Sequence, residues 1–393
     1  MKNFRKKIRN VFALFLCCIT LCSKASMVCM ADGDNKPQLL SDSFVLMEAS
    51  TKTILHDKDM HKVLPPASIT KVMTLLLIYE ALEEGTITKD TIVTTTDHAA
   101  SMGGSQVYLE PGEQQTVDTL IKCICISSAN DACVAMAEHL AGTEEAFVEE
   151  MNKKAKELGM NNTHFVNCCG LDVDGHVSTA YDIALMSAEL MSRFPDIMTY
   201  TTRRLDSMTH VTNKGSSEFG LTNTNKLITS YEGITGLKTG STSKARYCLS
   251  ATATRNDIGM IAVVLSAPDT KTRFKEAATL LNYGFSQCKI YTDEHENLEP
   301  ITVMVEKSME QEVVLVPKEA FRHVFIGKED FEQITKELFV YETITAPIKK
   351  GEELGAIIYS LHGNELGRIA LVAEKDISEA VYLDYLKKIL SYF

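Results

Sequence analysis

Apolar residues recur at helical spacing through the first three-quarters of the chain. From Ser68 the run Val72, Leu75, Leu76, Tyr79 and Leu82 repeats every three or four residues and predicts a buried helix over 68–84. The same period predicts helices over 117–126, 131–141, 144–158, 179–193 and 272–283. Strand patterns flank this stretch. Phe44 to Met47 and Thr53 to Leu55 surround a turn at Ala49-Ser50-Thr51, and the apolar runs 247–253 and 259–265 surround a turn at Arg255-Asn256-Asp257. An α+β domain over 38–288 follows: one antiparallel sheet with helices packed on it and a helical insert in its middle.

Past Lys289 the pattern changes to short β-type runs at 301–305, 312–316, 338–345 and 354–359, separated by Gly, Lys and Glu turns. These predict a small all-β domain over 296–375. In the final segment, 376–393, Ile377, Val381, Tyr385, Ile389 and Phe393 share one face at a four-residue spacing. That amphipathic helix packs on its own domain or lies in a membrane interface.

The ends and the charge narrow the setting. Lys2, Arg5, Lys6, Lys7 and Arg9 precede an apolar run from Val11 to Cys22, and small residues lead to Ala31. This reads as a secretory signal over 1–31, so an exported protein is expected. The formal net charge is −12 and becomes more negative without that basic leader, which argues against nucleic acid as a partner. Four of the 11 cysteines fall inside the leader; the other seven sit mostly in apolar stretches and are expected to be free and buried. Cys168-Cys169 has no spaced Cys or His partners, so neither metal nor cofactor is expected.

The candidate chemistry lies in three short elements: Ser68-Ile69-Thr70-Lys71, Ser128-Ala129-Asn130 and Lys238-Thr239-Gly240. S-x-x-K matches also occur at Ser241 and Ser286, but only Ser68 opens a buried helix, where a three-residue step puts Ser68 and Lys71 on one face. A serine hydroxyl needs a base to attack a carbonyl. Lys71 serves only when neutral, and burial with Lys238 as a second cation pushes that way. Ser128 relays the proton toward the leaving amine, and Asn130 holds Lys71 and a substrate amide. Lys238 and Thr239 bind a carboxylate, and Gly240 lets substrate approach the strand. The oxyanion donors are the Ser68 N–H and one from the strand just after Gly240, placed at Thr242.

The order and spacing of these elements resemble the penicillin-recognising serine enzymes, and specifically the D-alanyl-D-alanine carboxypeptidases, low-molecular-mass penicillin-binding proteins of the serine S11 peptidase type. Met102 to Glu113, and Asn167 through Gly170-Leu171 to His176 and Ser178-Thr179-Ala180-Tyr181-Asp182, are similar to further family segments. The resemblance implies a penicillin-binding/β-lactamase-like transpeptidase domain followed by a small all-β C-terminal domain. It also implies hydrolysis of the last D-alanine from peptidoglycan stem pentapeptides through an acyl-enzyme, and covalent inhibition by β-lactams. A C-terminal membrane contact and no metal are implied as well. By the same resemblance His176 lies near the site and Arg273 helps hold the substrate carboxylate. A class A β-lactamase would need an E-x-x-L-N run between the second and third elements, and none is present. A wall-associated scaffold without activity is the contrasting class, and intact Ser68, Lys71, Ser128 and Lys238 argue against it.

Overall fold

The computed structural model describes residues 36–390 apart from 297 and 328–330, so the expected signal segment lies outside the described residues. Strands β1 (Ser43–Glu48) and β2 (Ile54–Lys58) form the opening hairpin. A 3₁₀ turn over Ala67–Thr70 leads into α1 (Lys71–Glu83). The two-stranded pair β3 (Ile92–Thr94) and β4 (Gln114–Thr116) brackets the short α2 (Asp97–Ala100). Helices α3 (Val117–Ser127), α4 (Asn130–Ala141), α5 (Glu144–Glu157) and α6 (Ala180–Arg193) follow, then α7 (Met198–Thr201). The catalytic half closes with β5 (Leu205–Thr212), β6 (Gly215–Thr222), β7 (Ile234–Thr242), β8 (Arg246–Arg255), β9 (Ile258–Ala267) and α8 (Thr270–Gln287).

The main sheet has the order β2-β1-β9-β8-β7, antiparallel at each pairing, with β7 at one edge. Each face of the sheet carries its own apolar core. One contains Val45, Met47, Val263 and Leu265 from the sheet together with α1, α3, α4 and α6. The other contains Phe44, Leu46, Ala262 and Val264 with Phe274, Ala277, Leu280 and Leu281 of α8. Strands buried on both faces read as continuous apolar runs, which is why 259–265 lacks polar alternation. Helix α1 is buried almost all round, the condition of a helix in a domain centre.

The sequence pattern missed the β5–β6 hairpin, whose strands are largely exposed and carry no apolar period. Strand structure also begins earlier than 296. β10 (Cys288–Asp293) already pairs with β13 (Phe321–Ile326). A six-stranded sheet is built from β11 (Ile301–Glu306), β12 (Glu312–Pro317), β14 (Ile334–Val340), β15 (Thr343–Thr345), β16 (Glu353–Leu361) and β17 (Asn364–Ala373). The terminal helix α9 (Tyr382–Leu390) begins later than its pattern, since Ile377 is buried and bridges Ile348 instead.

Helix α6 depends on its N-cap, where the Thr179 hydroxyl accepts the Asp182 N–H at 3.1 Å in a fully buried setting. Thr179→Ala is expected to lower the unfolding free energy by about 1 kcal/mol and Thr179→Ser to retain most of it, read from denaturant midpoints. An unchanged midpoint in the alanine variant would count against the cap.

Candidate active site

The three sequence elements converge. Ser68 sits in the 3₁₀ turn ahead of α1 and is partly exposed, whereas Lys71 begins the helix proper and is fully buried. A buried amine must find hydrogen-bond partners. Lys71 Nζ donates to Ser68 Oγ (3.2 Å), Asn130 Oδ1 (2.6 Å) and the Cys169 carbonyl (2.6 Å). Asn130 is in turn fixed by its own Nδ2 on the Gly103 carbonyl (2.7 Å) and its backbone N–H on the Ser105 carbonyl (2.7 Å).

Ser128 occupies the tight corner between α3 and α4 in the left-handed region (φ 60°), rare for a residue with a Cβ. That corner turns its hydroxyl to Lys238, whose Nζ donates to Ser128 Oγ at 2.8 Å and to the Thr239 carbonyl at 3.1 Å. Burial, with the Lys71 charge as its neighbour, holds Lys238 well below the ordinary lysine range.

Gly240 runs against the nucleophile turn: a Cβ there would stand 3.0 Å from Ser68 N, Pro66 O and Ala67 Cβ. Thr239 Oγ1 lies 2.6 Å from Thr224 Oγ1. Thr242 is at the far end of β7, paired with Arg246, and its hydroxyl donates to Asp172 Oδ1 at 2.7 Å. Arg273 of α8 is buried. Its Nη1 donates to the Gly240 and Cys248 carbonyls (2.9 and 3.2 Å), its Nε bonds nothing, and no carboxylate pairs with it among the described residues.

The His176 side chain is buried. The Val166 N–H donates to its Nδ1 (3.0 Å), which leaves the proton on Nε2, and Nε2 lies 2.8 Å from Thr70 Oγ1. Thr70 then donates to the Ala67 carbonyl (2.9 Å), so the imidazole braces the turn that carries Ser68. His176 is thus near the site, with both ring nitrogens hydrogen-bonded inside the protein. Burial and the nearby His164 push its pKa down to about 4.

Several supporting groups carry no motif of their own. Asn167 Oδ1 accepts the N–H groups of Cys169, Gly170 and Leu171, a side-chain-capped turn that sets the Cys169 carbonyl on Lys71. The buried Asp131 carboxylate accepts the N–H groups of Val107, Leu109 and Ala132 and so shapes the loop that meets Asn130. Gly170 (φ +89°) passes so close to the turn that a Cβ would lie 2.0 Å from the Ala67 carbonyl oxygen. An Asn followed three residues later by Gly was the available signal for the first of these. The rest depend on contacts distant in sequence.

Residues 30–269 match the family described as D-alanyl-D-alanine carboxypeptidase, and residues 285–379 match the C-terminal domain of penicillin-binding protein 5. The chain is 41% identical over 359 residues to the D-alanyl-D-alanine carboxypeptidase DacF of Bacillus subtilis (strain 168), covering 91% of each chain. It is 32% identical to DacC of Escherichia coli (strain K12), covering 87% of this chain and 86% of that one. Among solved structures it is similar to penicillin-binding protein 5 of Haemophilus influenzae, with TM-score 0.65, 29% identity, and coverage of 88% of this chain and 100% of that chain. PBP3 of Streptococcus pneumoniae, a peptidoglycan synthesis regulatory factor, gives TM-score 0.71 at 26% identity, with coverage of 87% of this chain and 100% of that chain.

Two outcomes test this geometry. Gly170→Ala should lower the melting temperature and slow acylation of Ser68, since backbone has to move to clear the Ala67 carbonyl; an unaffected variant would show that the turn yields freely. The second concerns pH. Because the folded-state pKa of His176 lies below the ordinary 6.5, the unfolded chain binds the proton first, so stability falls as pH drops from about 6.5 toward about 4. Each pH unit in that window costs at most about 1.4 kcal/mol. His176→Gln should flatten this part of the stability profile, and an identical slope would remove His176 as its source.

Proposed function

The chain belongs to the D-alanyl-D-alanine carboxypeptidase family, and from that premise we propose how its residues divide the work of a serine-type D-alanyl-D-alanine carboxypeptidase. The observation that carries the assignment is the contact chain Ser68–Lys71–Asn130, with Ser128–Lys238 on β7. The substrate is the peptidoglycan stem peptide ending in D-Ala-D-Ala, and the terminal D-alanine is released.

Ser68 Oγ attacks the penultimate carbonyl while Lys71 takes its proton. The Ser68 N–H and an N–H from the Gly240 to Thr242 edge of β7 hold the oxyanion. Asn130 binds the peptide amide. Lys238, Thr239 and Arg273 receive the terminal carboxylate; that anion offsets the repulsion from Lys71 and favours the charged form of Lys238. Ser128 passes a proton to the departing amine, and water then hydrolyses the Ser68 ester. β-Lactams enter by the same acylation, because their cyclic amide and carboxylate present the same pair of groups.

The reaction belongs outside the cytoplasmic membrane, where peptidoglycan lies, and residues 1–31 supply the export signal. The catalytic domain spans 38–288 and the C-terminal domain follows it. Among the described residues no helix is long and apolar enough to cross a membrane. Exposed Tyr382, Leu383, Tyr385, Leu386 and Ile389 on α9 support contact with a membrane surface.

Intact-protein mass spectrometry with benzylpenicillin is the test. The wild-type chain should gain one persistent penicillin adduct and release D-alanine from a D-Ala-D-Ala peptide, and Ser68→Ala should do neither. Lys71→Ala should slow acylation by roughly 10²–10⁴-fold, the usual share of a general base. A fleeting adduct with fast penicillin consumption would instead indicate a β-lactamase, and an adduct retained in Ser68→Ala would displace Ser68 as nucleophile.

A further inference from the structure

Cys168 and Cys169 contribute backbone carbonyls around the active site, but their side chains have no part in acyl transfer. Both thiols are free and buried. Their sulfurs and a carboxylate oxygen of Glu144 all lie within 4.8 Å of one another. Glu144 is the first residue of α5, and nothing in the spacing of the sequence joins it to the cysteine pair. Its Oε1 accepts the Cys168 N–H at 2.9 Å, which fixes the carboxylate beside the thiols. Its Oε2 lies 3.8 Å from Nε2 of His98, whose side chain is 51% exposed.

Two sulfurs and a carboxylate are the donor set of a borderline-soft divalent cation. Zinc–sulfur bonds of about 2.3 Å and zinc–oxygen bonds of about 2.0–2.2 Å put ligands of one ion within about 4 Å of each other. The observed separations therefore require an inward shift of at most about 1 Å. We propose that Cys168, Cys169 and Glu144 form a binding site for a zinc-class divalent cation, with water in the fourth position beside His98. Binding replaces two S–H bonds by two metal–sulfur bonds and releases two protons to solvent. Cys169 links this site to catalysis. Its carbonyl holds Lys71 Nζ at 2.6 Å, so drawing its sulfur toward Glu144 moves the acceptor that keeps the amine beside Ser68. Occupancy thus slows acylation. This coupling rests on the proposed function; the cation site does not.

The test uses the full chain, reduced and stripped of metal with a chelator, and cadmium as the probe. Wild type should take up about one equivalent with a near-ultraviolet thiolate-to-cadmium charge-transfer band. Cys168→Ser/Cys169→Ser should lose the band, and Cys288→Ser, which alters a thiol in the other core, should keep it. Glu144→Gln retains both thiols and should weaken binding by at least about tenfold, which keeps the test decisive if the double variant misfolds. Absence of the band in wild type, or its survival in the double variant, overturns the site. Zinc at saturation should slow benzylpenicillin acylation of wild type severalfold and leave Cys168→Ser/Cys169→Ser unchanged. Equal slowing in both, or in neither while the band forms, overturns the coupling and leaves the site standing.

Discussion

A buried lysine amine at the start of an apolar helix has to be surrounded by acceptors, and much of the catalytic domain is arranged to supply them. Lys71 is as buried as the leucines beside it, so its Nζ is solvated by protein alone. Each acceptor comes from a different place: the 3₁₀ turn, the start of α4 and the 167–171 loop. Each of those segments is held by further buried polar contacts through Thr70 and His176, Asp131 and Asn167. Moving any one leaves a buried amine short of a partner, which is costly enough to enforce the geometry.

The second constraint is charge. Lys71, Lys238 and Arg273 enter no ion pair with a carboxylate among the described residues, although Lys238 and Arg273 are both pulled below their ordinary pKa by burial. Cations held this way are poised for an anion, the role proposed above for the substrate's terminal carboxylate. Arg273 illustrates the economy: it bonds carbonyls of β7 and β8 and stacks on Tyr247 and Phe274, leaving guanidinium capacity unspent. Edge strand β7 joins these demands, since it carries Lys238, presents Gly240 to the Ser68 turn and ends on Asp172 through Thr242.

The C-terminal domain is built on different terms. Its strands show clear alternation, as in β11, where buried Ile301, Val303 and Val305 alternate with exposed residues. That is the pattern of a sheet with one wet face, and it explains why β11 and β12 were legible while β13 and β17, with less regular patterns, were not. A stacked pair, Phe321 on Tyr359 at 3.7 Å, fills its centre, and the Tyr359 hydroxyl donates to Asp293.

What the chain determined by itself is local and periodic. The helices α1, α3, α4, α5, α6 and α8 followed from apolar spacing, and the candidate nucleophile followed from Ser68 standing just ahead of one of them. Ser128, Asn130, Lys238 and Gly240 were legible because the chemistry needs those residue types in that order. Tertiary structure decided everything that depends on residues far apart. It turned His176 inward to Thr70, set the Cys169 carbonyl on Lys71, brought Lys238 onto Ser128 and put Glu144 beside Cys168 and Cys169. It also paired β10 with β13 and started the terminal helix late, at Tyr382, because Ile377 found a buried partner in Ile348. The physical reason is the same throughout. Periodicity records which face of an element is apolar, whereas the partner of a buried polar atom is set by packing between elements that no spacing along the chain encodes.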